Sequence, residues 1–373
     1  MNYEYITTPE ALFSAIGRLA SAPVLGVDTE AAGYHRYHDR ISLIQISSRD
    51  ENVLVDPLAL NDLSGLATLF EDASIEKIFH DADFDLRILD RDLDLHIERL
   101  FDTQIAAAFI GERGLGLGAV VEKFLGITLP KAYQRADWAE RPLHEGMREY
   151  AATDTVHLSA LRDRLCEELG RLGRLHWAEE EFVRRAETRW SEPAGADEAF
   201  LKIKGARDLK PRGLAILREI YGWRESVGKE RDQATFRVLS NQSMIEIGLK
   251  APTTQRELRQ ITGVSSGLAE RRGRDILAAV KRGVSLPEGE LPRFAANRRW
   301  ERDPEFEERA ERLRGVRNGA AGELGLDPGF LMSRAVLEEI ARQMPSAPED
   351  LARIPEVRSW QVEALGDRIL RSL

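Results

Sequence analysis

The sequence predicts a mixed α/β domain at the amino-terminal end, followed by two small all-α modules, and three observations carry that prediction. Short β-branched runs alternate with amphipathic segments, and from about Leu143 onward the pattern is helical with few breaks, which implies an α/β domain up to about residue 170. Two stretches mixing Pro, Gly and charge, 189–206 and 284–301, interrupt the helical half. The segments flanking the second stretch repeat one another in a single register. The expected bounds are 1–188 for the α/β domain and 207–283 and 302–373 for the two modules, with linkers at 189–206 and 284–301.

Taken in order, Thr8-Pro9-Glu10 before ALFSAIGRLA predicts a helix capped by Thr with Pro at its first position. VLGVDT (24–29), ISLIQIS (41–47) and Val53–Val55 before Asp56-Pro57 predict strands, each a short β-branched run ended by polar or turn residues. Ile75–Phe79 predicts another strand and Asp85–Leu89 a helix after it, with Asp85 opening that helix. Helical pattern resumes from about Leu143. In the repeat, Ile247, Pro252, Leu258, Ile261, Val264, Gly273, Ile276 and Leu277 recur 93 positions later as Ile340, Pro345, Leu351, Ile354, Val357, Gly366, Ile369 and Leu370.

Composition narrows the class. With 43% apolar and 31% charged residues, the chain of 373 residues is globular, and it has no apolar run of the ~18 residues that a membrane span needs. The opening MNYEYITTPEAL lacks the basic-then-apolar layout of a signal peptide. A single cysteine, Cys166, excludes internal disulfides and cysteine-based zinc modules and fits a reducing cytoplasm. The net charge of −10 speaks against a polyanion partner only if it is evenly spread. It is not: residues 1–200 carry −16, residues 201–300 carry +10 and residues 301–373 carry −4.

The acids of the first part fall in a pattern that suits metals. Asp28 and Glu30 are two apart on a predicted strand and leave the same face. Tyr150 and Asp154 are four apart on a predicted helix and stack on one side of it. The segment IFHDADFDLRIL adds Asp81, Asp83 and Asp85, any of which serves chemically. Four carboxylates from separated segments can hold two hard divalent cations ~4 Å apart, the arrangement of many phosphoryl-transfer sites. An all-oxygen set suits Mg²⁺ or Mn²⁺ and gives little reason for zinc.

In order, VDTE (27–30), HDADFDL (80–86) and YAATD (150–154) resemble the three motifs of the DEDD superfamily of 3′→5′ exonucleases, and Tyr150 places them in its tyrosine-bearing subgroup. SLIQIS after the first motif, KAYQRADWAERPL (131–143) and the duplicated modules extend the resemblance to the ribonuclease D family, whose modules are HRDC (helicase and ribonuclease D C-terminal) domains. KAYQRADWAERPL is also similar to the eukaryotic nuclear-exosome 3′ exonuclease of the same subgroup. The resemblance implies a ribonuclease H-like α/β exonuclease domain followed by two all-α HRDC domains. It places the second-motif ligand five residues after His80, at Asp85, leaving Asp81 and Asp83 as local acids. It implies Asp28, Glu30, Asp85 and Asp154 as ligands of two Mg²⁺ or Mn²⁺ ions, and Tyr150 as the group orienting the attacking water. It also implies Lys131 and Gln134 as contacts to the substrate backbone.

Other signals read more plainly. His35-x-x-His38 has no third ligand of metal spacing and is expected to be solvated or at the substrate edge. His80 is expected to be structural beside the second motif, and Cys166 to pack in a helix. Gly114-Leu115-Gly116-Leu117-Gly118 lacks the strand before it and the Lys-Ser/Thr after it that a phosphate loop needs, so it reads as a loop before the helix AVVEKFLG. Trp223 and Trp300 flank the basic module, where core anchoring is the expected role over base stacking. Within LAERRGRDILAAVKR (268–282), Arg271, Arg272, Arg274, Lys281 and Arg282 cannot all share one helix face, yet HRDC domains in similar proteins assist nucleic-acid binding.

The expected function is a cytoplasmic, divalent-metal-dependent 3′→5′ exoribonuclease acting on a free RNA 3′ end and releasing nucleoside 5′-monophosphates. The resemblance implies a tRNA precursor as substrate, and no membrane partner is expected. The rivals are a DNA 3′→5′ exonuclease with the same carboxylates and a noncatalytic RNA-binding protein built on an inactive nuclease.

Overall fold

The computed structural model of the chain describes residues 2–192, 195–295 and 303–373. Trp300, the end of the second linker stretch and two positions of the first linker lie outside the described residues. Six strands form one sheet: β1 (Glu4–Ile6), β2 (Val24–Ala31), β3 (Ile41–Ser47), β4 (Asn52–Val55), β5 (Glu76–Phe79) and β6 (Leu100–Asp102), in spatial order β1-β4-β3-β2-β5-β6. β2, β3 and β4 pair antiparallel, while β1 joins β4, and β5 and β6 follow β2, in parallel. β3 buries all seven of its residues, as a strand covered on both faces does. β1 and β6 have three residues each, too few to show a pattern, and are strands because distant partners complete their ladders.

The helices of this domain are α1 (Pro9–Leu19), α2 (Ala67–Phe70), α3 (Asp83–Leu93), α4 (Thr103–Ile110), α5 (Leu117–Leu125), α6 (Glu145–Val156), α7 (Leu158–Arg171) and α8 (Leu175–Ala186). α1 begins as the sequence predicts, with the Thr8 hydroxyl accepting the Ala11 N–H and Pro9 in the first turn. α3 departs from expectation: it starts at Asp83, so Asp85 lies within its first turn instead of opening it. The cause is tertiary, because the Asp102 carboxylate accepts the N–H groups of Asp81 and Ala82 and starts the helix from outside.

Gly26 sets the approach of α6 and α7 to the sheet. A Cβ there would lie 2.8 Å from the Thr155 carbonyl oxygen and 3.1 Å from the Leu158 Cβ. Gly26 is two residues before Asp28 and therefore faces the same side. Its missing side chain lets the helix bearing Tyr150 and Asp154 close onto the strand bearing Asp28 and Glu30.

The first module comprises α9 (Pro211–Arg231), α10 (Thr235–Val238), α11 (Asn241–Lys250), α12 (Gln255–Leu258) and α13 (Ser266–Ser285). The second comprises α14 (Pro304–Leu324), α15 (Pro328–Leu331), α16 (Arg334–Gln343), α17 (Pro348–Ala352) and α18 (Ser359–Leu370). Each helix of the second starts 93 positions after its counterpart, the same offset as the sequence identities. The left-handed residues closing α9 and α11, Asp232 and Ala251, recur as Gly325 and Met344. Ile247, Leu258 and Ile276, like their copies Ile340, Leu351 and Ile369, are buried.

The two modules meet the α/β domain differently. The second shares its core, with the Trp360 ring 5.0 Å from Phe109 and 5.6 Å from Trp177. Glu180 accepts the first N–H groups of α18, from Ser359 and Trp360. The first module instead grips the loop after β2 through polar contacts. Asp232 accepts the N–H groups of Tyr37 and His38, and Ala234 donates to the His35 carbonyl. Trp223 packs half-buried on the first module's core, and Cys166 packs half-buried in α7. Among the described residues no helix is long and apolar enough to cross a membrane.

Candidate active site

β2 runs through the middle of the sheet and carries Asp28 and Glu30 toward α6. On α6, one turn separates Tyr150 from Asp154. One carboxylate oxygen each from Asp28, Glu30 and Asp154 lies within 4.8 Å of the others. Asp85 stands beside them, buried, with its carboxylate accepting the Thr29 N–H at 3.1 Å and the Thr29 hydroxyl at 2.5 Å. Thr29, the residue between the two β2 acids, thus fixes the acid from α3.

The three acids of the second motif are now distinct. Asp83 is paired with Arg185 at 2.6 Å and Arg87 at 2.9 Å. Asp81 occupies a left-handed turn at φ +62°. Only Asp85 of the three is buried against β2.

Asp28, Glu30 and Asp154 line a pocket of about 650 Å³ together with His80, Gly116, Leu117, Gly118, Lys131, Gln134 and Tyr150, and Asp85 lies buried behind it on Thr29. Lys131 and Gln134 are exposed and form the rim. His80 contributes its ring to the wall while Nδ1 meets the Thr103 hydroxyl at 2.8 Å, and burial lowers its pKa, favouring the neutral form. The glycine-rich loop has no phosphate-loop sequence, yet Gly116 and Gly118, at the start of α5, lie on the pocket wall.

His35 and His38 do not meet at a common site: His35 Nε2 contacts the Arg135 carbonyl at 2.8 Å, and the His38 N–H goes to Asp232. A second acid-rich group, Asp90, Asp94 and His96, lies at the far end of α3, where His96 is hydrogen-bonded to Asp90 at 3.1 Å. Of the basic set on α13, Arg272 pairs with Asp275 and Arg282 with Glu219.

Residues without a sequence signal hold the segment containing Lys131 and Gln134. Arg141 makes two 2.7 Å bonds to the buried Asp56 carboxylate and one of 2.6 Å to the Ser42 carbonyl, tying 138–141 to β3 and the end of β4. The Tyr5 hydroxyl, from β1, also donates to Asp56. Buried Trp138 then backs the Tyr150 ring at 6.2 Å.

The electrostatics follow from crowding acids in a recess. Burial first, then the charge of Asp154, raises Asp28 to about 8, against a backbone hydrogen bond at Thr29 that lowers it. Burial raises Asp154 to about 7. Glu30 and Asp85 are held well above the usual carboxylate range by burial and by neighbouring acids. Burial, followed by the charges of Asp154, Glu30 and Asp28, also keeps Tyr150 protonated far above neutral pH. An all-carboxylate set that repels itself in this way fits hard divalent cations, which offset the charge and accept oxygen ligands.

The metal-free fold favours the protonated carboxyls, so their contribution is complete below the unfolded pKa near ~4 and is lost as pH rises through about 7 and about 8. In EDTA the thermal midpoint should therefore fall between pH 5.5 and 8.5, and Asp28→Asn should reduce that fall. A fall of the same size in the variant would show that Asp28 is not strained by its neighbours.

Residues 3–170 match the family model for the 3′-5′ exonuclease, and residues 213–280 and 306–373 each match the HRDC domain. Ribonuclease D of Gluconacetobacter diazotrophicus is 34% identical over 292 residues, covering 77% of this chain and 74% of that protein. A solved structure of a protein from Bifidobacterium adolescentis superposes with a TM-score of 0.83 at 27% identity, covering 99% of this chain and 96% of that one. Escherichia coli RNase D, described as an exoribonuclease involved in structured RNA processing, superposes with a TM-score of 0.72 at 28% identity, covering 100% of this chain and 99% of that one. With its carboxylate pocket inside the matched exonuclease segment and relatives of this likeness along most of its length, the chain belongs to the ribonuclease D family and is a 3′→5′ exoribonuclease with two HRDC domains.

Proposed function

We propose that Asp28, Glu30, Asp85, Tyr150 and Asp154 form the catalytic centre, and that it trims the 3′ ends of tRNA precursors and other structured RNAs in the cytoplasm. Membership of this exonuclease family carries divalent-metal dependence; the finer reading is two ions, Mg²⁺ or Mn²⁺, held by the four carboxylates. The observation that carries it is the convergence of Asp28, Glu30 and Asp154 oxygens within 4.8 Å in a pocket rimmed by Lys131 and Gln134.

When bound, such ions supply a water of lowered pKa and offset the charge on the leaving 3′-oxygen. Asp28, Glu30, Asp85 and Asp154 would hold the ions through their carboxylate oxygens, and the Thr29 hydroxyl fixes Asp85 for that role. Tyr150 stays protonated, so it positions the attacking water by hydrogen bonding and does not act as the base. Lys131 meets a non-bridging phosphate oxygen near the scissile bond, and Gln134 contacts the adjacent backbone. The water oxygen bonds to phosphorus as the P–O3′ bond breaks, leaving a shortened RNA with a 3′-hydroxyl and a nucleoside 5′-monophosphate. The HRDC domains grip the RNA body, and the +10 charge of residues 201–300 suits that task.

A 3′-extended tRNA and a DNA of matched sequence, compared with Mg²⁺ and with Mn²⁺, test the substrate reading. Trimming of the RNA at least about tenfold faster is expected, because only RNA offers a 2′-hydroxyl. Equal rates on DNA would overturn it.

A further inference from the structure

We propose that Tyr34 and Phe236, flanked by Arg135 and Arg237, form a stacking platform for bases of the single-stranded RNA just upstream of the nucleotide being removed. The proposal rests on the reading that the carboxylate pocket is the catalytic centre. It adds a surface built from two domains, the loop after β2 and α10 of the first HRDC domain.

Both rings are left open at a domain junction, with Tyr34 42% and Phe236 47% exposed. Their centroids are 5.3 Å apart with the planes inclined at 52°. Arg237 lies 4.8 Å from the Tyr34 ring centre and 5.8 Å from that of Phe236, and Arg135 lies 5.7 Å from Tyr34. Among the described residues neither guanidinium has a carboxylate partner, whereas the nearby Arg36 is paired with Asp137 at 2.8 Å. Aromatic faces beside unpaired guanidinium groups suit a strand whose bases stack and whose phosphates need countercharge. A junction built only for stability has no reason to leave both rings half open and both charges unpaired.

Position supports the same occupant. Tyr34 follows Glu30 by four residues and Arg135 follows Gln134 directly, and Glu30 and Gln134 both line the pocket. A strand leaving the pocket over Gln134 therefore meets Arg135 and Tyr34 next. The platform is also held in place. Arg237 Nε donates to the Tyr34 carbonyl at 2.8 Å, Ala234 donates to the His35 carbonyl at 3.0 Å, and the His35 ring contacts the Arg135 carbonyl at 2.8 Å. Little ordering is then left to be done when RNA binds. Stacking on such a surface tolerates any base, as an enzyme that removes successive nucleotides requires.

Single-turnover trimming of an unstructured RNA ten-mer and of a dinucleotide tests the platform through the ratio of the two kcat/KM values. In Tyr34→Ala and Phe236→Ala the ratio of ten-mer to dinucleotide should fall about tenfold, by the loss of one stacked base. Tyr34→Phe, which keeps the ring, should restore it. Arg135→Gln, an exposed and unpaired position, should lower the ratio about threefold and weaken its salt dependence without disturbing the fold. An unchanged ratio, or equal losses on both substrates, would overturn the platform. Failure of the underlying reading is separate, and would show as trimming of both RNAs that survives Asp154→Asn.

Discussion

Replacing Asp28 by Asn should lower single-turnover trimming on the order of 10³-fold while leaving RNA affinity within about threefold of wild type. Asn keeps the shape of the side chain but removes one of the charges that a divalent cation offsets. Asp28 shares a 4.8 Å cluster with Glu30 and Asp154, and burial followed by the Asp154 charge raises its pKa to about 8. A carboxylate repels the phosphate backbone, so its loss gives no reason for weaker RNA binding. A 5′-labelled RNA followed in Mg²⁺, with affinity measured in EDTA, separates the two quantities. Trimming that survives Asp28→Asn would remove the residue from the site. Asp154→Asn should behave alike.

Tyr150→Phe should slow cleavage about 10²-fold with metal affinity near normal. The substitution removes the hydroxyl one helical turn from Asp154, while the ring keeps its packing against Trp138 at 6.2 Å and Tyr133 at 6.1 Å. Fold and carboxylates are unchanged, so the loss isolates the hydroxyl. Since Tyr150 remains protonated well above neutral pH, the slowed rate should keep the wild-type pH profile around neutrality. A wild-type rate in Tyr150→Phe would exclude the hydroxyl from water positioning.

Much of this site is legible in the sequence because its spacings are short. Asp28 and Glu30 obey strand alternation, and Tyr150 and Asp154 obey helix periodicity, so each pair could be placed without tertiary information. The choice among Asp81, Asp83 and Asp85 could not be made that way. It depends on Thr29 donating to Asp85 and on Arg87 and Arg185 neutralising Asp83, contacts that span 56 and 102 positions for Thr29–Asp85 and Asp83–Arg185. The HRDC duplication was readable to the residue in its offset, because the helix starts follow the same 93-residue register as the side chains. β1 and β6 were not, since three-residue strands take their structure from parallel neighbours.

Of two further residues, one carried a weak signal and the other none. Gly26, inside a strand and two positions before Asp28, marks a close backbone approach, which turns out to be that of α6. Arg141, in the segment that holds Lys131 and Gln134, gave no hint that its partner is Asp56, the acid ending β4. The net charge of −10 was the least informative quantity, because it averages an acidic pocket with a basic module.

The most direct test follows a 5′-labelled, 3′-extended RNA with Mg²⁺ and identifies the released product. The structure predicts a ladder shortening one nucleotide at a time from the 3′ end, nucleoside 5′-monophosphates as product, and complete loss of the ladder in EDTA and in Asp154→Asn. Internal fragments, release of the 5′ label as a mononucleotide, or a ladder that persists in Asp154→Asn would contradict it.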